Sequence, residues 1–240
     1  MNILAVDTAS STLTLAVRTA SRFEELSKQP QGMKHSEIIM PSITELCTDA
    51  GIKIQDLDLF ICTKGPGSFT GLRIGMAAVK GLAFGLGKPV ASVSTLEYHA
   101  KCILDFNGAV VSVIDARKNK FYLGVFECRD GICSRIKEDI DGNAEDLIQA
   151  LAPYERILVT GPDKSVFAPV LAACCPDKEI TTQCYETVSP GTALIELGLE
   201  KFERQGADDI GQGPVYLRKS DAEIALEEKE KGGMIKSQKQ

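Results

Sequence analysis

Thr63-Lys64-Gly65-Pro66-Gly67-Ser68-Phe69-Thr70-Gly71-Leu72-Arg73-Ile74-Gly75 joins an apolar, strand-like run at 57–63 to a helical pattern reaching about Leu86. Glycines at a strand-to-helix junction permit positive φ and close backbone approach, and the first helical turn presents N–H groups without intrahelical partners. Such a junction can hold an anion. It can equally be a tight turn that lets the helix pack on its own strand. The spacing is neither a Walker loop nor a dinucleotide fingerprint. Gly87-Lys88-Pro89 stops the helix.

Upstream of the junction the pattern predicts strands at 3–8, 12–18 and 23–27, the first two joined by Asp7-Thr8-Ala9-Ser10-Ser11, a hairpin signal. A helical stretch follows at 35–50, with Ile38, Ile39, Ile43, Leu46 and Ala50 on one broad face. Pro41 lies inside it, so the helix either kinks there or becomes regular only near Pro41. Downstream come a strand at 90–93 and a helix at 95–104. The second half repeats the order: strands at 109–114, 120–127 and 132–140, a helix at 144–151, a strand at 156–160, a helix at 165–173, a strand at 179–184 and a helix at 190–204. Both halves therefore read as three strands followed by alternating helix and strand, with no repeat in the sequence itself. The division expected is a first lobe at 1–104 and a second at 105–220, the last helix a candidate to return to the first lobe. The Glu-, Lys- and Gln-rich tail at 221–240 reads as a frayed helix running into disorder.

The 240 residues suffice for one large domain or two of about 100 residues, with 44% hydrophobic and 25% charged residues, ordinary for a globular chain. The start lacks a basic region and a long apolar run, so it does not read as a signal peptide. No apolar run is read as approaching the roughly 18 residues of a membrane span. A cytoplasmic chain without membrane contact is expected. The eight cysteines show no C-x-x-C, and with two histidines a zinc site is not expected; reduced, structural thiols are. The net charge of −6, with scattered lysines and arginines, argues against a self-sufficient RNA reader.

The helix at 70–86 carries Gly71, Gly75, Gly81 and Gly85, each costing about 1 kcal/mol relative to alanine. At 100° per residue, Gly71, Gly75, Ala78 and Gly85 fall within an arc of about 80°. Leu72, Ile74, Met76, Val79, Leu82 and Phe84 occupy the other faces, with Arg73 and Lys80 the charges. Such a helix is mostly covered. Its cover is either the 35–50 helix within the monomer or an equivalent helix pair in another subunit.

The junction resembles that of the TsaB (YeaZ) proteins, paralogues of the TsaD enzymes that make threonylcarbamoyladenosine on tRNA. Ile3-Leu4-Ala5-Val6-Asp7-Thr8, His35-Ser36-Glu37, Asp115-Ala116-Arg117 and Pro214-Val215-Tyr216-Leu217-Arg218 support the likeness, which spans about 1–220. It implies an α/β, two-lobed actin/Hsp70/sugar-kinase (ASKHA)-like fold, each lobe a mixed sheet with helices. In the related enzymes a His-x-x-x-His pair binds the catalytic metal. Thr95 and His99 stand at the matching positions here, and a threonine hydroxyl replaces imidazole poorly. No metal site is therefore expected, and His99 reads as an ordinary helix residue. Asp7 and Thr8 correspond to the superfamily's first phosphate loop, and Asp115 to the second, which usually reads Asp-x-Gly and here reads Asp115-Ala116-Arg117, without the glycine. The resemblance leaves these three as a vestigial nucleotide site, with ATP or ADP and Mg2+ bound in an assembled complex rather than tightly by the chain alone. Solvated loop carboxylates are the simpler reading of Asp7 and Asp115.

The implied function is a non-catalytic scaffold or activating subunit for modification of adenosine 37 of tRNA. Its partners would be a TsaD-like transferase in a heterodimer and a TsaE-like ATPase, with tRNA engaged indirectly and a homodimer formed when the chain is alone. The expected partner surface comprises His35, Ile38, Ile39, Ile43, Leu46, Gly71, Arg73, Ile74, Gly75, Ala78 and Leu82. The alternatives are an ATP-binding small-molecule kinase or ATPase of the same fold and a metallopeptidase. Turnover of ATP by the chain alone, or stoichiometric metal, would mark them.

Overall fold

The computed structural model describes residues 1–29, 34–184 and 186–218; the expected tail at 221–240 lies outside them. The first sheet has the order β3-β2-β1-β4-β5, built from β1 (Ile3–Asp7), β2 (Leu13–Arg18), β3 (Phe23–Lys28), β4 (Leu59–Gly65) and β5 (Val90–Ser94). β1 pairs antiparallel with β2 (Val6 opposite Leu15) and parallel with β4 (Ala5 opposite Ile61). The second sheet repeats this plan in the order β10-β9-β6-β7-β8, from β6 (Gly108–Arg117), β7 (Lys120–Arg129), β8 (Ile132–Gly142), β9 (Arg156–Thr160) and β10 (Glu179–Thr181). In each half an antiparallel meander of three strands is extended by two parallel strands through helical crossovers. That doubled topology is the two-lobed ASKHA-like α/β fold.

Helices cover both faces of the first sheet, which is why β1 is buried throughout. On one face α1 (His35–Asp49) and α2 (Phe69–Leu86) enclose Leu4, Val6, Leu15, Phe60 and Met76. On the other lie α6 (Pro190–Gln205) and Tyr98 of α3 (Thr95–Lys101), against Ile3, Ala5, Ile61 and Val93. α6 begins with Pro190 after Ser189, whose Oγ accepts from the Thr192 N–H at 3.2 Å. Gly198 lets α6 lie on β4, because a Cβ there would come within 2.5 Å of Ile61. The last helix among the described residues thus belongs to the first lobe's core. In the second lobe α5 (Lys164–Cys174) and the short α4 (Ile148–Leu151) cover one face of the sheet. Leu96 and Ala100 of α3 pack with Val110, Ile114 and Phe126 on its other face, so α3 is shared between the lobes.

Several boundaries differ from the sequence reading. α1 is helical from His35 and runs through Pro41, which is exposed. The interior proline costs about 3 kcal/mol, and burial of Ile39, Ile43 and Leu46, at roughly 1.5–3 kcal/mol each, outweighs it. The helix expected at 95–104 ends at Lys101 because Ile103 bridges to Thr187. The 144–151 segment splits into a 3-10 turn, Ala144–Leu147, and α4. The strand expected at 179–184 stops at Thr181.

One expectation is overturned. Cys128 and Cys133 are joined by a disulfide rather than standing as free thiols. They face each other across β7 and β8 because Asp130 (φ 51°) and Gly131 (φ 75°) make a tight hairpin turn. α2 has 18 residues, long and apolar enough by length and composition alone to cross a membrane, with Arg73 and Lys80 inside it. In this fold its Leu72, Met76, Val79 and Ala83 are buried in the monomer, and Lys80 caps chain carbonyls.

Candidate functional site

At the end of β1 the Asp7 carboxylate is 2% exposed and fully engaged. Oδ1 accepts from the Ala9 N–H at 2.9 Å and the Thr63 hydroxyl at 2.7 Å, and Oδ2 accepts from the Tyr98 hydroxyl at 2.6 Å. Burial, and then the Asp7 charge, push the Tyr98 phenol well above its ordinary pKa, so it remains a donor. The reading of Asp7 as a solvated carboxylate is therefore corrected: it ties β1, β4 and α3 together. Thr8 is also buried, and its Oγ1 donates to the Gly71 carbonyl at 2.7 Å. The Ser68 N–H donates to the Ala9 carbonyl at 2.7 Å, and the Ser68 Oγ accepts from the Gly71 N–H at 3.2 Å. A Cβ at Gly71 would stand 2.0 Å from the Thr8 carbonyl, and one at Gly75 2.2 Å from the Thr8 Oγ1. Gly71 and Gly75 exist to seat α2 on the turn after β1; they are not partner-facing, which corrects that assignment.

Asp115 lies elsewhere. It is exposed at the end of β6, with its N–H donating to Asp163 Oδ2 at 2.7 Å and its Oδ1 accepting from the Arg117 N–H at 2.7 Å. It lines a cleft of about 840 Å3 between the lobes together with Ser10, Ser68, Thr70, Asp163 and Arg218. Asp7 and Thr8 do not line that cleft, so the three residues are not brought together. The groups present fit a kinase-like Mg2+–nucleotide poorly. The first-loop carboxylate is turned inward onto protein donors, and Arg117 stands where close phosphate approach needs glycine.

Thr95 and His99 sit one turn apart on α3, and Thr95 Oγ1 and His99 Nδ1 are both buried without a hydrogen-bond partner. His99 borders a second cavity of about 630 Å3 with Cys102, Leu158, Thr160 and Val188. Burial lowers its pKa to about 4, so the ring is neutral at physiological pH. No cluster of three metal-ligating side chains occurs among the described residues. Burial also pushes the Cys62 and Cys102 thiols up to about 12, which makes them poor nucleophiles.

The α1–α2 pair divides into an inner and an outer layer. Ile39, Ile43 and Leu46 are buried beneath it with Met76 and Val79, because α1 turns that face onto the sheet. Like Gly71 and Gly75 they belong to the monomer core, and their placement at a partner surface is corrected. His35, Ile38, Ile74, Ala78 and Leu82 are half-buried, and Arg73 is exposed. Beside them α2 exposes Ala77, Gly81, Phe84 and Gly85, with Phe84 78% exposed. A Cβ at Gly81 or Gly85 would meet nothing within 4 Å. The sequence reading did not place Ala77, Gly81 or Phe84 on the partner surface. The available signal was phase: Gly81 points about 120° away from Gly75 on the helix, so the four glycines cannot serve one face.

The sequence profile described as "TsaD: tRNA N6-adenosine threonylcarbamoyltransferase" matches residues 26–175, so the chain is of the TsaD-related class. The tRNA threonylcarbamoyladenosine biosynthesis protein TsaB of Bacillus subtilis is 31% identical over 237 residues, covering 96% of this chain and 100% of that protein. The protein of the same name from Escherichia coli is 35% identical over 132 residues, 53% of this chain and 55% of that one. A Pseudomonas aeruginosa crystal structure, described as an uncharacterized protein with similarity to peptidase YeaZ, superposes with a TM-score of 0.75 at 23% identity, covering 90% of this chain and 99% of that one. The chain belongs to the TsaB (YeaZ) family.

Proposed function

We propose that this chain is a non-catalytic subunit of tRNA N6-threonylcarbamoyladenosine synthesis, and that it docks the outer layer of α1 and α2 onto the equivalent helix pair of a TsaD-like transferase. The observation that carries this reading is Phe84, 78% exposed between Gly81 and Gly85 on a helix whose inner face is already satisfied. Among the described residues nothing calls for glycine at 81 or 85, and each costs about 1 kcal/mol relative to alanine. A second helix approaching to about 8–10 Å explains both, with Phe84 as its anchor. The match of residues 26–175 to the TsaD profile supports a transferase of related fold as that helix's source, giving a pseudo-symmetric pair.

The transferase supplies the metal, since Thr95 and His99 offer too few ligands. Alone, the chain pairs with itself through the same face and exchanges to the heterodimer when the transferase is present. A TsaE-like ATPase joins the assembled pair, and nucleotide and Mg2+ bind there rather than at Asp7. With a net charge of −6, this chain leaves most tRNA phosphate contacts to its partners. The process is cytoplasmic.

The test is co-purification with the TsaD-like transferase and a reconstituted modification assay, using Phe84→Glu. Affinity should fall at least about 30-fold, as for loss of an aromatic anchor, with the melting temperature of the isolated chain unchanged. Wild-type affinity and full modification by Phe84→Glu would place the partner surface elsewhere.

A further inference from the structure

Residues 206–218 leave the end of α6 and run outside α2 to the second lobe, with contacts along the way. Near the start, Asp208 accepts from the Ser92 N–H at 2.6 Å, from the Ser92 hydroxyl and from Lys201, with both members of the ion pair largely buried. Burial alone would raise the Asp208 pKa; the Lys201 ammonium and the Ser92 bonds outweigh it and hold it below the usual carboxylate value. Lys80 of α2 then donates to the carbonyls of Asp209 (3.3 Å), Ile210 (2.9 Å) and Gln212. The Val215 N–H donates to the Lys64 carbonyl at 2.7 Å, and Gly65 (φ 112°) leaves room for the Val215 carbonyl, which would lie 2.6 Å from a Cβ. Tyr216 stacks on Phe69 with centroids 4.5 Å apart, and its hydroxyl accepts from Arg73 Nε at 2.8 Å.

The segment then crosses between lobes. Leu217 packs against the cluster containing Ile114 and Tyr122. Arg218 forks onto Asp141 of β8, Nε to Oδ2 at 2.6 Å and Nη2 to Oδ1 at 2.8 Å, while its Nη1 donates to the Ala116 carbonyl at 3.1 Å. Both side chains of this pair are below 20% exposed, where a bidentate, charge-assisted contact is strong and directional. Arg218 also lines the interlobe cleft, as do Phe69 and Ala116.

We propose that residues 206–218 form a strap that fixes the opening of the interlobe cleft and the seat of α2 together, with the Arg218–Asp141 fork as its latch. Arg73 and Lys80, the two cations of α2, are both held by this strap, and its far end is held by the second lobe. Whatever occupies the cleft beside Ala116 and whatever covers the outer face of α2 therefore act on one connected element, and by linkage each biases the other. The strap stands on contacts within this chain and does not depend on which partner covers α2.

The experiment is hydrogen exchange on the full chain, with a distance label in each lobe. Arg218→Ala should accelerate exchange at 69–75 and 115–119 by about tenfold or more and broaden the interlobe distance distribution, with β1 and β4 still protected as in wild type. Tyr216→Phe keeps the stack on Phe69 and the Arg73 guanidinium over the ring but loses the hydrogen bond from Arg73 Nε, so it should loosen 69–75 alone, and by less. The charge reversal Arg218→Asp with Asp141→Arg should recover part of the protection. Unchanged exchange at both segments in Arg218→Ala, or acceleration spread evenly over all strands, would overturn the latch.

Discussion

His99 carries the residue-scale prediction. Its folded pKa of about 4 lies below the ordinary value of 6.5, so the folded chain binds fewer protons between those values than the unfolded chain does. The stability that this neutral histidine contributes is present above pH 6.5 and is lost as pH falls toward 4. Urea titrations at pH 7 and pH 5 should show a larger loss for wild type than for His99→Gln; equal losses would mean that the ring is solvated. Asp7 shows how far single residues were legible. The resemblance places it at the superfamily's first phosphate loop, but its buried partner Tyr98 is 91 residues away. No local pattern announces that bond, and with it the difference between a solvated acid and a structural one.

At the scale of elements, α2 separates two uses of glycine. Gly75→Ala should destabilise the chain by about 1–3 kcal/mol, because the new methyl group meets Thr8 at 2.2 Å. Gly85→Ala meets open space and should stabilise the isolated chain by up to about 1 kcal/mol while weakening partner binding. Denaturation curves of both variants check the contrast, and the same sign for both would refute it. The sequence revealed the helix and its glycine content because propensity and period are local. It assigned the faces wrongly because which arc is inward depends on the turn after β1, far away in sequence. The same holds for α1, whose apolar face at Ile39, Ile43 and Leu46 was visible but whose cover was not.

For the whole molecule, the first lobe is discontinuous. α6 closes a sheet that began about 190 residues earlier, covering Ile3, Ala5, Ile61 and Val93. A fragment of residues 1–104 lacks that cover and should show no cooperative thermal transition; adding residues 186–218 in trans should restore one. A sharp two-state melt of 1–104 alone would show that α6 is dispensable.

The order and type of nearly every element, the doubled plan of the lobes and the family signature at 63–75 were determined by sequence alone, since each follows from short-range periodicity, turn residues and motif spacing. Tertiary structure decided the partner of Asp7, the inward glycines, the Cys128–Cys133 disulfide, the return of α6 and the strap. Each of these is a contact between groups whose proximity exists only once the two sheets have closed on their helices.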